Sequence, residues 1–171
     1  MTPRAVVLVE GASDAAALET LARRRGTPPA GVAIVVLHGY TNLRTALRAL
    51  DPVAPERVTV LCDAGAAAWC RGVAGPAVPV RVCEADLEDE LLRALGTDRV
   101  HAVLDAHGEL GSLHALARQP GRRGRTDAEN LRRFLSARSG RKTRYAALFA
   151  AALEPGELPD PLRRVLADVG L

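Results

Sequence analysis

Glu10 ends an apolar run, AVVLVE, and Asp14 follows it by four residues. Asp63 closes another apolar run, RVTVLCD, and five acids crowd the stretch EADLEDE at 84–90. Carboxylates sharing a small volume repel one another and stay ionised only against a countercharge. A hard divalent cation is the natural countercharge, and all-oxygen donor sets favour Mg2+ or Mn2+ over zinc. Each acid also has a plainer use. Glu10 and Asp14 can serve the donors and dipole of a helix start, Asp63 can be a loop acid, and 86–90 can be the first turn of a capped helix. A joint role is favoured because all three groups follow apolar runs that read as strands.

Those runs define the elements that must position the acids. Residues 5–9, 32–37, 57–62 and 78–83 are short, β-branched and continuously apolar, as buried parallel strands are. Between them lie helical patterns. Ser13 can cap the first, which aligns Leu18, Leu21 and Ala22; TNLRTALRAL aligns Leu43, Leu47 and Leu50. GTPPAG (26–31) and DPVAPE read as loops, and 63–77 as a short Ala-rich connection. DLEDELLRAL (86–95) is amphipathic through Leu87, Leu91, Leu92 and Leu95. Strands alternating with helices imply βαβ units. The expected fold class is α/β, a four-stranded mainly parallel sheet flanked by helices. From about 97 the pattern turns wholly helical, over roughly 98–106, 109–118, 126–138, 141–153 and 159–169. We therefore expect an α/β core over 1–96 and a helical extension over 97–171. In such sheets ligands bind beyond the carboxyl ends of the strands, where Glu10, Asp63 and the 86–90 run fall.

The formal net charge is only +3, but residues 118–144 carry ten basic side chains against Asp127 and Glu129. Arg122, Arg123, Arg125, Arg132, Arg133, Arg138, Arg141 and Arg144 are the expected phosphate contacts; a solvated, solubilising face is the alternative. Lys142 is the only lysine. In so arginine-rich a chain it suggests a need for a compact point charge. Cys62, Cys70 and Cys83 have no CxxC spacing, so zinc and disulfides are not expected and a reducing compartment is. His101, His107 and His114 are too widely spaced for a zinc pair. Ser13 lacks a nucleophile elbow, and GxGxxG is absent. AALFAAAL is too short to span a bilayer, and no secretory leader is seen, so the expected location is cytoplasmic. Phe134 and Phe149 are expected in the helical core, and Trp69 over a sheet edge or in an interface.

VVLVEGASD resembles the signature of toprim domains, shared by topoisomerases, bacterial primases and several nucleases. HGYTNLRTAL, VLCDAG, DLEDELLRAL and the helices GRKTRYAALFAAAL and LPDPLRRVL, in that order, resemble the toprim half of OLD-family nucleases. The resemblance implies a metal-dependent nuclease acting on DNA. In it Glu10, Asp14 and Asp63 would hold Mg2+ or Mn2+, and Asp86 and Glu88 would contribute to or flank a second site. Glu10 would double as general acid or base, and Lys142 would approach the metal site. The family's DxD reads Asp63-Ala64-Gly65 here, so the second acid is missing. No GxxxxGK[ST] loop is present, so a separate ATPase is an expected partner beside nucleic acid. A homodimer through the Ala/Leu helices is a further expectation, and a membrane is not. The alternative is a degenerate module that binds nucleic acid or a partner ATPase without cutting.

Overall fold

The computed structural model describes residues 3–25 and 31–171. The loop expected over 26–31 lies, apart from Gly31, outside the described residues. The chain runs β1 (Ala5–Val9), α1 (Ala12–Arg24), β2 (Val32–Val36), α2 (Leu43–Leu50), β3 (Arg57–Asp63), α3 (Ala67–Ala74), β4 (Val80–Cys83), α4 (Leu87–Ala106), α5 (Leu110–Ala117), α6 (Asp127–Ser136), α7 (Arg141–Ala152) and α8 (Asp160–Asp168). The sheet order is β2-β1-β3-β4, and every pairing is parallel.

All five residues of β1 are buried, because the strand is central and covered on both faces. Its side chains alternate between two cores. Ala5, Val7 and Val9 join the larger core with α1, α4, α7 and α8; Val6 and Leu8 join the smaller one with α2 and α3. The register puts Val9 level with Val36 and Leu61, and Asp63 level with Cys83. The strands thus end near one line, and the residues after them share one edge.

The terminal helices pack into the same larger core as β1. Tyr145, Ala146, Phe149 and Ala150 of α7 are buried in it with Ala17, Leu18 and Leu21 of α1. Arg24, in the last turn of α1, donates to the Ala150 and Leu153 carbonyls at the end of α7. Asp168 of α8 accepts from Thr59 Oγ1 at 2.8 Å and from both Arg81 Nε (2.8 Å) and Nη2 (2.6 Å), fastening α8 to β3 and β4. The hydrogen-bonded Arg81 guanidinium holds the Asp168 carboxyl below its ordinary pKa.

Two elements differ from the sequence expectation. The Ala-rich connection contains a helix, α3, whose Ala67 and Cys70 are buried under the sheet. Residues 40–42 form a 3-10 turn ahead of α2. α4 passes through Gly96, whose φ of 73° breaks the helix where the sequence divides 86–95 from 98–106.

Candidate functional site

The carboxyl edge of the sheet opens into a cavity of about 310 Å3 lined by Glu10, Gly11, Ser13, Asp14, His38, Gly39, Asp63, Glu88 and Lys142. Glu10 lies there because β1 ends one residue earlier. Gly11 caps α1, and Asp14, in the first turn, accepts from the Gly11 N–H at 2.8 Å. That bond holds a carboxylate only 9% exposed against the start of the helix. Asp63 is the last residue of β3. Glu88 comes from the first turn of α4 and is 4% exposed. Lys142 enters from the first turn of α7, and its Nζ lies 3.0 Å from Glu88 Oε2.

The cavity holds more negative charge than its surroundings balance. Burial, reinforced by Glu88 and Asp63, pushes the Asp14 pKa up to about 7, against the Gly11 hydrogen bond and the Lys142 charge. Burial and then Glu10, Asp86 and Glu88 push Asp63 up to about 6. Burial opposes the charge on Lys142, but Glu88 leads the neighbours that outweigh it, and the lysine pKa is raised. Glu88 Oε1 is buried with no hydrogen-bond partner.

These features fit a divalent cation in donor chemistry. The donors are oxygens, the charge is in excess, and one buried carboxylate oxygen has no partner. Among the described residues, no three acidic, histidine or cysteine side chains already stand as a metal-holding group. Like charges repel, and Glu88 is drawn to Lys142.

The structure brings Glu10, Asp14, Asp63, Glu88 and Lys142 together. Asp86 stays outside the cavity wall. It caps α4, accepting from the Asp89 N–H at 2.8 Å, yet lies near enough to raise the Asp63 pKa. Sequence reasoning took Ser13 for the cap of the first helix, a place Gly11 holds, and gave His38 no role beyond its place in the resembling segment HGYTNLRTAL. Both line the cavity, and for His38 the available signal was its position directly after a predicted strand. His38 and Gly39 turn the chain back with φ of 56° and 112°. Asn42 Nδ2 pins that turn through the Leu37 carbonyl at 2.8 Å.

The basic segment is less free than its sequence suggests. Arg141 corrects the expectation of a phosphate contact. It is 7% exposed, lies over the Phe134 ring, donates to the Phe134 carbonyl at 2.9 Å and pairs with Glu109. Arg122 is likewise built into the fold, donating to Asn130 Oδ1 (2.9 Å) and the Glu129 carbonyl (2.8 Å). Arg125, Arg132 and Arg144 are exposed but paired with Glu129, Asp89 and Glu109. Arg123, Arg133 and Arg138 are exposed and make no ion pair among the described residues.

No family model matches the sequence, and no curated protein does. Among solved structures, the chain is similar to the C-terminal region of the OLD protein of Xanthomonas campestris pv. campestris, with a TM-score of 0.68 and 18% identity over 98% of this chain and 94% of that one. It is also similar to the C-terminal region of the Burkholderia pseudomallei OLD protein, with a TM-score of 0.66 and 15% identity over 99% and 98%. This chain thus has the fold of the C-terminal, toprim half of OLD proteins.

Proposed function

We propose that this chain is a Mg2+- or Mn2+-dependent nuclease that cleaves or nicks DNA. The observation that carries the reading is the convergence of four carboxylates and one lysine, from four separate parts of the chain, on one cavity at the strand ends. Glu10, Asp14 and Asp63 would hold the cation, with Glu88 at its flank and Asp86 beyond. When bound, such an ion supplies Lewis acidity, lowering the pKa of an attacking water and offsetting charge on phosphoryl oxygens. Glu10 would take a proton from an attacking water or return one to the leaving oxygen. Lys142 places a compact cation where charge develops on the phosphoryl group. Arg123, Arg133 and Arg138 hold neighbouring backbone phosphates, which positions the strand without reading its sequence. The test is supercoiled plasmid incubated with Mg2+ or Mn2+. The wild type should yield nicked or linear product, and Glu10→Ala should lower the rate at least 100-fold, as loss of acid–base assistance alone costs about 10²–10⁴. Absence of product from the wild type with either ion would refute cleavage.

One observation favours a second reading, a module that holds nucleic acid or an ATPase without cutting. Gly65 stands where the resembling motif carries its second Asp. Retained binding of DNA or ATPase without cleavage is the outcome that selects it.

A further inference from the structure

The chain has five aromatic side chains. Phe134, Tyr145 and Phe149 are sealed in the larger core. The other two, Tyr40 and Trp69, meet edge to face with ring centroids 5.5 Å apart. Tyr40 is 37% exposed and Trp69 is half-buried against the smaller core. Both rise from the carboxyl edge of the sheet. Tyr40 directly follows the cavity residues His38 and Gly39, so its Cα is one peptide, about 3.8 Å, from the cavity wall. Trp69 lies on α3, the helix that follows Asp63. The adjoining helices carry Arg44, Arg48 and Arg71, all exposed. These three make no ion pair or side-chain hydrogen bond among the described residues, unlike most arginines of the 118–144 segment.

We propose that Tyr40 and Trp69 form a stacking ledge for an unpaired nucleobase beside the carboxylate cavity. The substrate is then a single-stranded or locally opened segment of nucleic acid. The proposal rests on the reading above, in which the cavity takes a phosphodiester. Aromatic faces beside a cationic track bind single strands whatever their sequence, because every base presents a π-face. Arg44 and Arg48, four and eight residues after Tyr40, supply the cationic track. A base stacked within a duplex has both faces covered and cannot use the ledge. A ring pair that only roofs the core would be indifferent to whether the strand carries bases.

Trp69 is the only tryptophan, so its fluorescence reports on the ledge alone. The experiment is done in EDTA, where no cutting is required, with three probes. These are oligothymidylate of about ten nucleotides, an abasic deoxyribose-phosphate strand of equal length, and a duplex. Thymidylate should quench Trp69 emission and bind about 5- to 150-fold more tightly than the abasic strand. Tyr40→Ala should remove that advantage and leave abasic binding unchanged, while Tyr40→Phe should keep it. Equal binding of thymidylate and abasic strands, equal binding of the duplex, no binding of any probe, or an indifferent Tyr40→Ala would each overturn the ledge. Plasmid cutting with no preference for bases would sink the ledge and leave the nuclease reading standing. Base-dependent quenching without any cutting would do the reverse.

Discussion

At the scale of single residues, the site is a conflict between charge and burial. Asp14 is the clearest case, an acid nearly closed off from water whose pKa is pushed up to about 7 by burial and by neighbouring acids. Its folded-state pKa lies above the unfolded value of about 3.9. The group therefore favours folding fully at low pH, and that contribution is lost as the pH rises from about 4 through about 7. Metal-free protein should gain from Asp14→Asn, because the amide oxygen still accepts the Gly11 N–H without carrying charge. We expect the variant to be more stable than wild type by roughly 1–3 kcal/mol at pH 8, with the advantage gone near pH 4. Urea unfolding in EDTA at the two pH values measures it, and a variant weaker than wild type at pH 8 would contradict the account. The types of the site acids were legible in the sequence, since acids at strand ends stand out against apolar runs. Their pairings were not. Nothing in the spacing from Glu88 to Lys142, or from Arg141 to Glu109, shows that the chain brings them within 3.0 Å and 2.9 Å.

At the scale of elements, the strand ends and the helix starts do the positioning. α1 aims Asp14 through a first-turn hydrogen bond, α4 brings Glu88, and α7 brings Lys142 because its buried face lies along α1. The 3-10 turn Ala64–Ala66 is the element that departs from the resembling motif. A Cβ built on Gly65 meets no atom within 4 Å, and the residue does not need a left-handed backbone. Gly65→Asp should fold with stability within about 0.5 kcal/mol of wild type, as surface changes usually do. If the nuclease reading holds, the added acid should tighten Mn2+ binding and raise plasmid cleavage several-fold. Unchanged metal affinity in titration calorimetry would show that this turn does not face the cation. The sequence placed β1 to β4 and the later helices by period and apolar length. It passed over α3, because AAAWCRGVA offers too few large apolar residues to mark a buried face until Cys70 and Ala67 are seen under the sheet.

For the whole molecule, the site exists only when distant parts of the chain are assembled, so whatever binds it must stabilise the fold. A ligand that binds the folded state alone adds about 2.7 kcal/mol at one hundred times its dissociation constant. For a chain of this size that is about 5–10 °C in Tm. Mn2+ or Mg2+ should produce a saturable rise of that order, reversed by EDTA and reduced in Glu10→Ala. A Tm indifferent to millimolar Mn2+ would count against the cation. No helix among the described residues is long and apolar enough to cross a membrane. The sequence by itself determined the α/β alternation, the buried central strand and the acids at its end, because these are local: apolar period, length and punctuation along a few residues. Tertiary structure alone decided which charges meet. It spent Arg141 and Arg122 inside the fold, set Lys142 against Glu88, admitted His38 to the cavity and left Tyr40 edge to face with Trp69. Coulomb forces and desolvation depend on distance and burial in space, and neither quantity is written in the order of residues along a chain.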